Sequence, residues 1–370
     1  MSNVLTKPIG CLDLKQQHEQ IKQEVFEKFE DVYANTAFSG GKFAEEFEER
    51  FAEFCHANYA IALNSGTSAL HLALLALGIK EGDEVILPAN TFIATAWAVS
   101  YVNATPVFVD CDPKTWEIDC TQIEDKITDK TKLIIGVHLY GQPFDVHAVK
   151  QISKKYNIPF IEDAAQAHGA TYNDQVVGTF GEMACFSFYP GKNLGACGEG
   201  GGIITQHEAY ANHLKRLRNH GCSVRYYHDE LGFNMRIGGL EAASLTVKLK
   251  YLADWNKRRQ EIAKRYQTEV TNRKITMQHQ PEDTSSVYHL FVVTVENREE
   301  FTNYLKEHSI NVGLHYPVPC HLQKAYAHLG HQKGDFPNSE YLSEHCVSLP
   351  MYAELTDEEV DHVIQAINNY

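Results

Sequence analysis

The segment Phe186-Ser187-Phe188-Tyr189-Pro190-Gly191-Lys192-Asn193-Leu194 sets one lysine among apolar and aromatic residues, beside a Pro-Gly pair. It runs on into Cys197-Gly198-Glu199-Gly200-Gly201-Gly202 and a short apolar strand. A lysine ammonium is strongly hydrated, and burial lowers its pKa. The neutral amine then becomes available near pH 7 as a nucleophile that can form a Schiff base with an aldehyde. A plain loop lysine between two strands fits this stretch equally well. The residues upstream decide between the two.

Asn64-Ser65-Gly66-Thr67-Ser68-Ala69-Leu70-His71 follows a strand and opens a helix. Gly allows the sharp turn, and Thr67 and Ser68 can cap the helix while backbone amides point outward, which suits an anion such as phosphate. An ordinary Ser/Thr cap reads the same way. The chain has neither the G-x-x-x-x-G-K loop nor G-x-G-x-x-G. In Ile158-Pro159-Phe160-Ile161-Glu162-Asp163-Ala164-Ala165-Gln166-Ala167-His168-Gly169, an acidic residue ends a buried strand, where parallel-sheet proteins open their ligand crevice. A partly desolvated Asp163 needs a cationic partner, which a protonated pyridine nitrogen would supply. Asp163 capping the next turn is the plain alternative, with Glu162 on the opposite face. Pro88-Ala89-Asn90-Thr91-Phe92-Ile93-Ala94-Thr95 is a third strand-to-helix junction, where Phe92 either covers a flat heterocycle or joins the core.

The elements that position these residues alternate. Strands are expected at Tyr59–Leu63, Glu84–Pro88, Pro106–Val109, Lys132–Val137, Ile158–Ile161, Met183–Phe188 and Gly202–Thr205. Helices are expected at Ser68–Leu77, Ala94–Val102 and Val146–Lys155. Strands without polar alternation, separated by helices, predict a mostly parallel sheet covered on both faces. Ahead of this block, Leu14–Tyr33 reads as a charged amphipathic helix, followed by the turn Phe38-Ser39-Gly40-Gly41. Behind it, Gly239–Val270 reads as one or two long helices. The tail reads as α+β, with strands at Tyr288–Val295 and Asn311–Leu314 and helices at Arg298–Glu307 and Asp357–Ile367. These features divide the chain into a large domain (1–250) and a smaller C-terminal domain (251–370).

Composition narrows the function classes. A net charge of −15 without a basic tract argues against general nucleic-acid binding. No apolar run has the length of a membrane span; the longest helical one is Ala69–Leu77. Met1-Ser2-Asn3-Val4-Leu5-Thr6-Lys7 lacks the apolar core of a secretory signal. The nine cysteines are scattered without a C-x-x-C pair, which points to reduced thiols in a cytoplasmic protein and to no zinc site.

The turn, the aromatic, the strand-end Asp and the loop lysine occur in the order found in fold-type I pyridoxal-phosphate aminotransferases. More narrowly, the chain resembles the nucleotide-sugar aminotransferases of the DegT/DnrJ/StrS family. The resemblance runs through Asn64–Leu70, Glu84–Val109, Val137–Phe144, Ile161–Gly169, Cys185–Gly202, Gly232–Arg236 and Gly334–Leu355. It implies an α/β large domain, with a mostly parallel seven-stranded sheet between helices, and a smaller α+β domain. The implied cofactor is pyridoxal 5'-phosphate, bound covalently through Lys192 as an aldimine, with Lys192 also the base that moves the proton. Asp163 would keep the ring nitrogen protonated, making the ring an electron sink. Gln166 would lie near the phenolic oxygen and Phe92 on the ring. Gly66, Thr67, Ser68 and Ser187 would hold the phosphate, with Asn234 reaching it from the other subunit of a homodimer. Relatives often carry Tyr where this chain has Met235 and Gln where it has Glu241.

Tyr189-Pro190-Gly191-Lys192, and Arg218-Asn219-His220-Gly221 with Arg225-Tyr226-Tyr227-His228, look like members acting on dTDP-linked 3-keto-6-deoxyhexoses; members acting at C-4 commonly have His in place of Tyr189. Tyr189, His315 and Tyr316 are the implied hexose contacts and Arg225 the candidate for the diphosphate. For His315, an ordinary loop histidine is the alternative. The expected activity is transfer of an amino group from glutamate to the keto carbon, at C-3, for an amino-deoxysugar of a surface polysaccharide or glycosylated metabolite. The alternatives are a 4-keto aminotransferase, a non-catalytic regulatory protein on the same fold, and a pyridoxamine-dependent dehydratase. Dehydratase relatives have histidine where this chain has Lys192.

Overall fold

The computed structural model describes residues 7–370, so all but the last residue of Met1–Lys7 lies outside the described residues. The strands are β1 (Tyr59–Leu63), β2 (Glu84–Pro88), β3 (Thr105–Val109), β4 (Thr131–Val137), β5 (Phe160–Asp163), β6 (Thr171–Tyr172), β7 (Gln175–Val176), β8 (Ala184–Ser187), β9 (Gly201–Thr205), β10 (Cys222–Val224), β11 (Tyr227–His228), β12 (Thr276–Met277), β13 (Thr284–Ser285), β14 (Phe291–Thr294) and β15 (Cys346–Leu349). The α-helices are α1 (Lys15–Ala34), α2 (Lys42–Phe54), α3 (Gly66–Ala76), α4 (Ile93–Tyr101), α5 (Val146–Tyr156), α6 (Glu208–Leu217), α7 (Gly239–Leu249), α8 (Leu252–Glu269), α9 (Arg298–Glu307), α10 (Pro337–His345) and α11 (Asp357–Asn369).

Seven strands form one sheet in the order β1-β9-β8-β5-β4-β2-β3. The pairs β2/β3, β2/β4, β4/β5 and β5/β8 are parallel; only β9 runs against both of its neighbours, β1 and β8. Strands such as Glu84-Val85-Ile86-Leu87-Pro88 are buried along almost their whole length, because helices cover both faces and no side need be polar. α3 is buried on most sides and packs with α4. α2 lays Phe47 and Phe51 edge-on against Phe188, with ring centroids 5.2 Å apart in both pairs, and so presses on the start of the lysine segment.

The C-terminal lobe has its own antiparallel sheet, β12-β14-β15, with α8, α9 and α11 packed around it. Residue 250 falls in the short link between α7 and α8. Two features tie the lobes together. β13 pairs with β6, and Asp110, one residue past β3, caps α10. Its carboxylate accepts from the Asn338 amide (2.9 Å), the Ser339 amide (2.8 Å) and the Ser339 hydroxyl (2.6 Å), which satisfies donors that every helix N-terminus leaves open.

The structure departs from the sequence expectation in several places. The strand expected at Asn311–Leu314 reduces to one bridge, Gly313 with Ser348; beyond it the chain leaves the sheet and His315 turns to bond the Ser348 hydroxyl (2.8 Å). The amphipathic helices α2 and α6 were not anticipated, nor were α10 and β15 in the tail. Of the one or two helices expected over Gly239–Val270 the structure has two, α7 and α8, parted at Lys250-Tyr251. The Ser68–Leu77 helix begins two residues earlier, at Gly66.

Candidate active site

A cavity of roughly 730 Å³ opens at the C-terminal ends of the parallel strands. Ser65 caps α3: its hydroxyl accepts from the Ser68 amide at 3.1 Å and lies 2.9 Å from the Ser68 hydroxyl. The Gly66 and Thr67 amides begin the helix and have no intrahelical acceptor. Ser65, Gly66, Thr67 and Ser187 line the cavity. Ser68 is buried beside Ser65 and is not among the lining residues. Gly201 allows this turn to close on β9, since a Cβ there would stand 2.1 Å from the Ser65 carbonyl carbon.

Asp163 ends β5 and is buried. Thr95 Oγ1 donates to its Oδ2 at 2.8 Å and the Ala165 amide to its Oδ1 at 3.1 Å. Burial pushes its carboxyl above the ordinary range, and those two donors and Lys192 pull it back. Lys192 is half-buried in the tight turn after β8, its amide donating to Tyr189 O at 2.8 Å. Burial pushes its amine down to about 8, against the opposing pull of Asp163. An amine that gives up its proton more readily than an ordinary lysine and a buried carboxylate thus share one cavity.

Gln166 is held from two sides: Oε1 accepts from the Tyr140 amide at 2.6 Å, and Nε2 donates to the Tyr316 hydroxyl at 2.9 Å. Phe92, immediately before α4, is half-exposed at the cavity, 5.5 Å from the Tyr316 ring at a tilt of 43°. Tyr189, His315 and Tyr316 also line the cavity. Burial and the neighbouring Lys192 hold His315 below the ordinary histidine pKa, and burial raises the Tyr316 phenol.

Arg225 and Asn234 do not line this cavity. Arg225 is exposed between β10 and β11, against the Tyr226 ring (4.9 Å), and Asn234 is exposed where it bridges to Asn219. Several lining residues escaped the sequence reading: Ser65, Glu199, His289, and Cys11 and Leu12 ahead of α1. Ser65 alone had a local signal, as the Ser that precedes the first helical residue.

The donor set suits pyridoxal phosphate. An anion-binding turn, a buried carboxylate for a ring nitrogen and an amine able to lose its proton line one cavity with an aromatic face. Among the described residues no helix is long and apolar enough to cross a membrane.

Residues 19–368 match the DegT/DnrJ/EryC1/StrS aminotransferase family. The chain is 45% identical over 362 residues to a dTDP-3-amino-3,6-dideoxy-alpha-D-galactopyranose transaminase of Aneurinibacillus thermoaerophilus, covering 98% of this chain and 99% of the relative. It is 40% identical over 365 residues, 98% of each, to a protein of Geobacillus stearothermophilus named a pleiotropic regulatory protein. Among solved structures, that of S. venezuelae DesV in complex with a ketimine intermediate matches with a TM-score of 0.96 at 38% identity over 98% of both chains. The chain therefore belongs to the DegT/DnrJ/EryC1/StrS aminotransferase family, as one of its pyridoxal-phosphate-dependent nucleotide-sugar aminotransferases.

Proposed function

We propose that this enzyme moves an amino group from glutamate to C-3 of a dTDP-linked 3-keto-6-deoxyhexose, as a homodimer that holds pyridoxal phosphate through Lys192. The observation that carries the reading is Lys192, with its amine pushed down to about 8, in one cavity with the buried Asp163. When bound, the cofactor supplies the electron sink that makes the substrate carbon acidic. The chain's own residues do the rest. Ser65, Gly66, Thr67 and Ser187 hold the phosphate, Asp163 faces the ring nitrogen, Phe92 covers the ring and Gln166 lies at its phenolic oxygen. Lys192 Nζ takes and returns the proton at the substrate carbon. Tyr189, His315 and Tyr316 meet the hexose.

The C-3 assignment draws support from Tyr189 beside the lysine turn and from the name of the Aneurinibacillus relative. The homodimer draws support from Asn234 and Arg225, which are exposed and away from their own chain's cavity, and from the exposed apolar Tyr226, Tyr227 and Leu231 in the same region. A second copy would bring Asn234 to the phosphate and Arg225 to the diphosphate.

Borohydride reduction followed by mass spectrometry is expected to fix the cofactor on Lys192; an adduct elsewhere, or none, refutes that role. Supplying dTDP-linked 3-keto and 4-keto sugars with glutamate and locating the new amine by NMR tests position. An amine at C-4 overturns the C-3 reading. Mixing a Lys192→Ala chain with an Asn234→Asp chain tests the shared site, since only a homodimer that exchanges Asn234 regains activity.

A non-catalytic regulatory role has one observation in its favour, the name of the Geobacillus relative. The presence of Lys192, Asp163 and Gln166 together in the cavity weighs against it. The borohydride and NMR experiments separate the two.

A further inference from the structure

A second lysine lies deeper than the first. Lys248, on α7, is 1% exposed. Its ammonium donates to the Gly195 carbonyl at 2.7 Å and to His18 Nε2, on α1, at 3.1 Å. Both acceptors are neutral, and an ammonium buried against neutral acceptors costs more than an apolar side chain of the same size would. A cost of that kind points to a task other than packing.

Gly195 belongs to the turn that carries Lys192. A Cβ on Gly195 would meet the Pro190 carbonyl oxygen at 2.3 Å and the Tyr189 oxygen at 2.9 Å, so the turn is folded onto itself with no slack. The Ala196 amide closes it by donating to Phe188 O at 2.8 Å. On the other side, His18 lies in the first turn of α1, the helix that follows the cavity-lining Cys11 and Leu12. Cys11 O accepts from the amide of Met351, another cavity-lining residue, at 3.2 Å. Gln17 Nε2 donates to Glu354 at 3.2 Å. Lys248 therefore joins the lysine turn to the N-terminal strap that walls the same cavity.

We propose that Lys248 is a positioning residue for Lys192: its ammonium clamps the Gly195 carbonyl and, through His18, ties the catalytic turn to the strap Cys11–His18. The clamp needs a lone pair on His18 Nε2, so it is made with a neutral ring and broken when that ring is protonated. Burial and the Lys248 charge keep His18 below the ordinary histidine pKa, which favours the neutral ring. Burial pulls the Lys248 amine below the ordinary lysine value; Cys197 and Glu354, the other titratable groups that act on it, oppose that pull and favour its charged form. The clamp is an addition to the aminotransferase reading and rests on it only for the kinetic test.

The test uses Lys248→Met, which keeps length and volume and removes the donors. In cofactor-free protein, acylation of Lys192 followed by mass spectrometry against pH is expected to show a midpoint near 8 in the parent. In the variant the turn loosens and water reaches the amine, so the midpoint rises by about one pH unit. In the loaded enzyme kcat falls at least about tenfold, while KM for each substrate stays within about twofold. His18→Gln keeps an acceptor that cannot titrate; it is expected to retain kcat at neutral pH and to lose the acid limb of the parent's kcat profile. If Lys248→Met does not fold, His18→Leu removes one acceptor without touching the core and should move both readouts in the same direction. A folded Lys248→Met protein with the parental midpoint and kcat, whatever its Tm, overturns the clamp. A parent that transfers no amino group while the midpoint still moves leaves the clamp standing and removes the aminotransferase reading.

Discussion

Thr95 Oγ1 donates a 2.8 Å hydrogen bond to Asp163 Oδ2, and Thr91, one turn earlier on the N-terminal side of α4, stands 3.0 Å from the Thr95 hydroxyl. A helix that begins at the cavity thus orients the carboxylate that ends a neighbouring strand. Orientation by a hydroxyl matters because a buried carboxylate without donors climbs in pKa and loses its charge.

Removing that donor is the direct check. Thr95→Val keeps the shape and leaves Asp163 only the Ala165 amide, so its carboxyl rises further. Activity is expected to fall about tenfold or more, in the range typical for groups that orient a functional residue, while Thr95→Ser stays near the parent. Steady-state kcat for both variants measures it.

Lys192 and Asp163 also read each other. The carboxylate favours the charged amine, opposing burial. Asp163→Asn should therefore lower the Lys192 midpoint below about 8 in cofactor-free protein, opposite in sign to the shift expected for Lys248→Met. Acylation against pH, read at Lys192 by mass spectrometry, measures it; an upward shift contradicts the coupling.

Gly201→Ala is expected to damage the phosphate turn. A Cβ there would stand 2.1 Å from the Ser65 carbonyl carbon and 2.5 Å from the Gly66 amide nitrogen, and backbone gives way less readily than a side chain. Overpacking of this kind costs about 1–3 kcal/mol. Absorbance titration with pyridoxal phosphate should show about tenfold weaker binding alongside a lower Tm.

His168 gives a stability prediction. Its ring is fully buried between Phe186 and Phe188, and burial, with the charge of Lys192, pushes it down to about 3 against the pull of the Ser187 backbone. The unfolded chain takes up a proton at the ordinary value of about 6.5, which the folded chain refuses. Above that pH the ring has no pH-dependent effect; between it and about 3, stability falls as pH drops, by up to about 1.4 kcal/mol per unit. His168→Phe should flatten that slope and leave stability at pH 8 equal or higher, measured by urea denaturation across pH.

How much of this was legible depended on how local each signal is. The strands β1, β2 and β3 stand out because continuous Val, Ile and Leu runs between turn residues need no distant partner to be recognised. α2 went unread although Phe43, Phe47 and Phe51 recur at helical spacing, because they stand among many Glu residues. Gly313 failed as a strand because its only pairing depends on Ser348, 35 residues later. In the site, Lys192 and Asp163 were readable from their flanks, and the structure places both in one cavity. Ser65 was not singled out although its hydroxyl caps α3 and lines the cavity, because Thr67 and Ser68 offer the same cap chemistry to a reader of the sequence. His289 and Leu12 come from elements far apart in the chain, and Lys248 looks like any helical lysine until α1 covers it.

Asp110 carries a consequence for how the molecule comes apart. Its carboxylate ends a strand of one lobe and serves as the cap of a helix in the other. Swinging the C-terminal lobe away would strand a buried charge and bare the first turn of α10 together, so no pivot is available at that seam. Heat should therefore melt both lobes as a single calorimetric peak, and Asp110→Ala should split that peak in two, with the C-terminal lobe melting first.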